Sequence, residues 1–314
     1  MQSIIKKSNL KKSLRFFPIL ILAYIIYDLA LNKNLHFSFD FLLQQKWSLI
    51  RLSIFFPIFI LMLINWLLES KKWQLLTKDY HRLSLKESFL SVLSGISTAL
   101  FTPNRIGDFI GRVSHLPNEH RKKGMISSFY GSFSQWLLTI IMGWIAWLQL
   151  GSKLVESQSL FVLISLFYFI IAGALLLLFL SGKVSLFKFV KNKLNFDNPP
   201  STTIRIKLIL FSFLRYLIFT TQFYLLFRLL GLNLDYALVL SKLGLFYLLT
   251  SLVPSTFWGE LGIKESVAVW VFSGIVFNSL LIVCATLLLW FINLLVPAIA
   301  GNYFLYKKVR EIPL

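Results

Sequence analysis

Long, nearly uninterrupted apolar runs alternate with short basic stretches along the chain. A helix needs roughly 20 mostly apolar residues to cross a bilayer, and six stretches meet that length: 14–31, 48–68, 125–150, 159–181, 207–231 and 279–304. Two more apolar stretches, 88–101 and 237–253, run into breaks at Thr102, Pro103, Asn104 and Arg105 and at Val253, Pro254, Ser255 and Thr256. The pattern predicts an all-α polytopic membrane protein, one transmembrane domain over 1–314. It has about six full spans plus two re-entrant helical hairpins, at about 84–116 and about 237–277.

Composition narrows the class. Of 314 residues, 57% are hydrophobic and 14% charged, which excludes a water-soluble fold. The formal charge of +19 follows the spans, because Lys and Arg are retained on the cytoplasmic side. Lys6, Lys7, Lys11, Lys12 and Arg15 precede the first span, which is read as an uncleaved helix. The next loop has Lys33, Lys46 and Arg51, and the one after it Lys71, Lys72, Lys78, Arg82 and Lys86. The stretch 102–124 is basic again, with Arg105, Arg112, Arg121, Lys122 and Lys123. Two consecutive inside loops cannot flank one full span, so 88–101 is expected to dip in and return. Lys153 stands alone near 151–158, six bases fill 182–207, and Lys307, Lys308 and Arg310 close the chain, so both termini are expected in the cytoplasm. The same rule, together with attraction to anionic headgroups, accounts for the basic runs and leaves nucleic acid without a role.

The two breaks resemble each other. Pro103, Gly107, Asp108, Gly111 and Arg112 run proline, glycine, acid, glycine, base, as do Pro254, Gly259, Glu260, Gly262 and Lys264. Three full crossings separate them, so the hairpins enter from opposite faces, the pattern of an inverted-repeat transport site. Non-helical backbone persists inside a bilayer only where protein or a polar cavity satisfies it. Half-helices starting near Gly107 and Gly259 would present N–H groups and partial positive charge to a phosphate.

Three motifs carry a family resemblance: Asn65, Trp66, Leu67, Leu68, Glu69, Ser70, Lys71, Lys72 and Trp73; Thr102 through Arg112; and Pro254 and Ser255 with Gly259 through Glu265. The chain resembles the transmembrane region of lysylphosphatidylglycerol synthases, their flippase domain, over nearly its whole length. The resemblance implies a multi-pass protein of the bacterial inner membrane that translocates a phospholipid or lipid-linked substrate. The sequence closes at Leu314 directly after its last span, so a stand-alone member without the synthase domain, and no enzyme activity, is expected. Thr256, Phe257 and Trp258 precede Gly259 where the family pattern is richer in glycine.

Arg105, Arg112, Arg215, Gln222 and Glu69 are the candidate substrate-binding residues. Arg215 lies within the fifth span, where a centred charge costs about 2.5–3.5 kcal/mol on insertion scales, and Gln222 returns to its face seven residues on. Arg105 and Arg112 either meet the phosphate or snorkel to the interface. Glu69, with Lys71 and Lys72, reads as an interfacial cluster at a helix end or as a cavity residue, and Trp66 and Trp73 as interfacial belt anchors. Pro103, Gly107, Asp108, Gly111, Pro254, Gly259, Glu260, Gly262, Lys264 and Glu265 form the structural motif: helix stops, close packing, capping acids and local ion pairs. Cys284 is alone, and Pro117 breaks the helical spacing between His115 and Glu119 and His120, so neither disulfide nor metal is expected and no cofactor is required. A non-transporting scaffold or regulator of an envelope-lipid enzyme is the rival role; a second copy of the chain or that enzyme would be its protein partner.

Overall fold

The computed structural model describes residues 48–102, 105–182, 199–253 and 257–310. Among these the chain is helical: α1 Leu49–Leu52, α2 Phe55–Thr77, α3 Leu85–Ala99, α4 Gly107–Val113, α5 Asn118–Leu154, α6 Gln158–Ser181, α7 Thr202–Leu229, α8 Tyr236–Leu252, α9 Phe257–Phe272, α10 Ser279–Trp290 and α11 Val296–Arg310. A π-helical turn, Phe291–Leu295, joins α10 to α11. The first predicted span, Pro103, Pro254 and the basic loop 183–198 lie outside the described residues.

Among the described residues, four helices are long and apolar enough to cross a membrane: Asn118–Leu154, Gln158–Ser181, Thr202–Leu229 and Ser279–Phe304. The helix α2, of 23 residues, is as long but carries Glu69, Lys71 and Lys72. Exposure fits a lipid environment. On α6 the buried residues are Ala172 and Phe179, while Leu163, Leu166, Phe167, Phe169, Ile170 and Leu177 are all more than half exposed. Such a continuous apolar surface has no place in water.

Helix starts follow ordinary capping chemistry. Ser84 and Glu87 form a reciprocal capping box at α3, with the Ser84 amide donating to Glu87 Oε2 at 2.7 Å. Ser157, Ser201, Asp235 and Asn278 each accept an amide at the start of α6, α7, α8 and α10. The π turn has a local cause. Pro297 lacks the N–H that would bond the Asn293 carbonyl, and the helix widens so that the Val296 amide bonds Phe291 O instead.

The helices pack in corresponding pairs. Helices α2 and α7 pack on each other; α3 packs on α11 as α8 does on α5; α4 packs on α5 as α9 does on α10; and α2 meets α3 and α5 as α7 meets α8 and α10. The order α2–α3–α4–α5 thus corresponds to α7–α8–α9–α10/α11. Helix α3 has 15 residues and α4 seven, about 22 and 10 Å, well short of a hydrocarbon core of about 30 Å.

Side-chain hydroxyls satisfy the first hairpin. Ser88 donates to Ser70 O at 2.6 Å, Ser91 to Arg112 O at 2.8 Å, and Thr98 to Gly107 O at 2.6 Å. Thr102 Oγ1 accepts the Gly107 amide at 2.7 Å, taking one of the unpaired donors at the start of α4. Contact is so close that a Cβ at Gly111 would collide with Ser94 O and Thr98 Oγ1. Gly262 differs, because among the described residues nothing lies within 4 Å of a Cβ placed there.

Candidate functional site

Glu69 lies at the centre of a buried ion network. Its Oε1 accepts from Arg112 Nη1 at 2.6 Å and its Oε2 from Arg215 Nη1, with Lys72 Nζ 3.5 Å from Oε2. Arg112 also forks onto Asp108, Nε and Nη2 each 2.9 Å from a carboxylate oxygen. Arg215 Nε donates to Asn65 Oδ1 at 2.8 Å. Lys72 completes its shell with Gly131 O and Ser212 Oγ, both at 3.0 Å. Three helices supply the charges, α2, α4 and α7, and α5 closes the cluster through Gly131 and Ser134, whose hydroxyl is 3.0 Å from that of Ser212. Burying charge is tolerable only with this degree of pairing.

The structure corrects the interfacial reading of this region. Helix α2 continues to Thr77, so Glu69 is internal to it, and Glu69 and Lys72 are 3% and 1% exposed. Trp66 and Trp73 are buried as well and anchor no interface. Trp66 lies under the Arg215 guanidinium, 5.5 Å from ring centroid to Cζ, with Phe219 at 5.9 Å.

A cavity of about 290 Å³ adjoins the network. Both corresponding halves of the chain line it. Trp66 comes from α2, Arg105 from the turn before α4, and Gln135 and Thr139 from α5; Arg215, Tyr216 and Phe219 come from α7, Tyr247 from α8, Lys264 from α9, Thr286 from α10 and Asn293 from the π turn. Three cations face it, Arg105, Arg215 and Lys264, and no carboxylate is among the described lining residues. Buried polar atoms in its wall lack a hydrogen-bond partner among the described residues: Trp66 Nε1, the Tyr216 and Tyr247 hydroxyls, Gln135 Oε1 and Asn293 Oδ1. Such orphaned groups cost about 1–3 kcal/mol each unless something else bonds them. Arg105 holds the left-handed backbone region at φ 56°, which costs a residue with a Cβ about 1–2 kcal/mol.

The predicted site residues therefore divide. Arg105 and Arg215 meet at the cavity, joined by Lys264 from the structural motif. Arg112 and Glu69 stand behind it in the ion network, and Arg215 belongs to both. Gln222 is fully buried and donates to Ile58 O at 2.9 Å, tying α7 to α2 away from the cavity. Asp108 pairs with Arg112, while the amide at the start of α4 is taken by Thr102. Glu260 and Gly259 fall in the first turn of α9, and Glu265 follows Lys264 along the same helix. Among the described residues no group of three or more His, Cys, Asp or Glu is placed to hold a metal. Ser212 and the cavity's Gln135, Tyr216, Tyr247 and Asn293 were not singled out from the sequence, and Asn65 and Lys72 stood there only within the family motif and the basic cluster beside Glu69. The i, i+3 and i, i+4 spacing of Ser88, Ser91, Ser94 and Thr98 was the available signal for the polar face of α3.

Family comparison fits this geometry. Residues 41–301 match the model of the lysylphosphatidylglycerol synthase TM region. The chain belongs to this family. It is accordingly a multi-pass membrane protein of the flippase-type domain. No curated protein and no solved structure matches the chain.

Proposed function

We propose that this family member moves an anionic phospholipid or lipid-linked headgroup across the bacterial inner membrane through the cavity between α2, α5, α7 and the two hairpins, without bond chemistry. The observation that carries this reading is the lining: three cations, aromatic walls and, among the described residues, unpartnered polar donors and acceptors and no carboxylate. A phosphate answers the cations, and headgroup hydroxyls answer both the Tyr and Trp donors and the Gln135 and Asn293 oxygens. The cavity holds a headgroup and leaves the acyl chains in lipid. Glu69 and Arg112 act as positioning residues that hold Arg215.

The pairing of α2–α5 with α7–α11 supports an inverted repeat with re-entrant hairpins, in which the two halves alternately open the shared cavity. The basic-residue asymmetry supports cytoplasmic termini.

Reconstitution into vesicles with fluorescent phosphatidylglycerol tests the reading. The wild type should accelerate leaflet exchange. Arg105→Gln and Lys264→Gln should each slow it about tenfold, the worth of a hydrogen bond to a charged group, while inserting normally. Exchange at the protein-free rate for every lipid tried would leave the scaffold role instead.

A further inference from the structure

A second basic site lies on the outside of the bundle, where α2 ends and α7 begins. A groove of about 530 Å³ is lined by Lys71, Lys78, Arg82 and Lys207 over an apolar floor that includes Leu75, Leu210 and Phe211. No carboxylate is among its described lining residues. The four cations are exposed, and none makes a salt bridge among the described residues. This sets the groove apart from the ion network one helix face away, where Lys72 is enclosed by Glu69, Gly131 and Ser212. The wall carrying Arg82 is fixed, since Gln74 Nε2 on α2 donates to Leu83 O at 2.9 Å and ties the segment after α2 back onto that helix.

From this juxtaposition we infer that the groove is a binding site for an intact anionic phospholipid, held by its phosphate among the four cations and by an acyl chain along Leu75, Leu210 and Phe211. Four like charges lining one groove, with no counterion among the described residues, repel one another, and an anion relieves that repulsion. The floor selects among anions. Exposed Leu210 and half-buried Leu75 and Phe211 in the same groove as the cations suit a ligand that carries hydrocarbon beside its phosphate, and a free phosphate would leave that surface bare. The site is separate from the cavity: the two share no lining residue. The inference stands whether or not the protein transports lipid.

Native mass spectrometry of the full chain released from detergent, titrated with phosphatidylglycerol or phosphatidylcholine, tests it. The cavity variant Arg105→Gln/Lys264→Gln serves as the starting protein, so that the groove is read alone. Phosphatidylglycerol should be retained in preference to phosphatidylcholine. Adding Lys78→Gln/Arg82→Gln should weaken retention about thirtyfold, the worth of two bases at a lipid surface, and Lys71→Gln/Lys207→Gln should do the same. Lys86→Gln, outside the groove, should bind as its parent. Equal retention of the two lipids, or unchanged retention in both double variants, would overturn the site. Displacement of the lipid by millimolar inorganic phosphate would overturn the assignment to a lipid in favour of a plain anion site. Should one double variant fail to fold, the other decides, since the two pairs draw on different parts of the wall.

Discussion

At the level of single residues, Glu69 is the side chain on which the others depend. It has one carboxylate for three cations, and Asp108 relieves it of part of Arg112. Removing one partner of a buried pair costs about 3–5 kcal/mol, because the surviving charge is left without compensation. Glu69→Gln should therefore lower the thermal unfolding midpoint in detergent far more than Arg105→Gln, whose side chain borders the cavity. Comparing the two midpoints by tryptophan fluorescence checks this, and equal midpoints would contradict the ranking. Sequence alone marked Arg215 as costly in a membrane and read Glu69 as an interfacial or a cavity residue. It did not place them together, since 146 positions separate the two and no spacing rule reaches that far. Nor did it identify Lys72 as buried, because a lysine after an apolar run also suits a helix end.

Among helices, the breaks were legible and their partners were not. Pro103 and Pro254 follow the ends of α3 and α8 in the sequence, and α4 begins at Gly107, where the glycine-acid string suggested a half-helix. The start of α9 at Phe257 precedes the anticipated Gly259 by two residues. Hydrophobic patterning had no means of showing that α3 lies on α11 and α8 on α5, for both contacts join segments far apart in the chain. The shared cavity yields a direct measurement. Cysteines replacing Arg105 and Lys264, which line it from the two halves, should be joined by a short bifunctional thiol reagent. Pairs moved to exposed Leu163 and Lys264 should not be. Linkage of the control pair alone, in protein that inserts normally, would refute a common cavity.

For the whole molecule, charge gives the orientation to be tested. Helix α5, with 37 residues, is about 55 Å long, enough to bring both its ends clear of the hydrocarbon. Basic Arg121, Lys122 and Lys123 lie near its start and Lys153 near its end. Cysteine at position 117 should react with a membrane-impermeant reagent only from the cytoplasm, and at position 154 only from outside. The reverse pattern would invert the protein, and labelling of both from one side would take α5 out of the count of spans.

The distribution of countercharges in the ion network also sets an order of assembly. Glu69 and Lys72 share one helix and Asp108 and Arg112 another, so α2 and α4 each bring an ion pair of their own. Helix α7 has no acidic residue anywhere along it. As the chain is made from its N-terminus, at about 5–20 residues per second, Glu69 precedes Arg215 by roughly 7–30 s, with Lys72 beside it throughout. Arg215 instead depends on a binding place prepared by segments already in the bilayer, and the cost of bringing that charge into lipid is offset on docking against α2. The last element of the network to be synthesised is thus admitted to the membrane by the first.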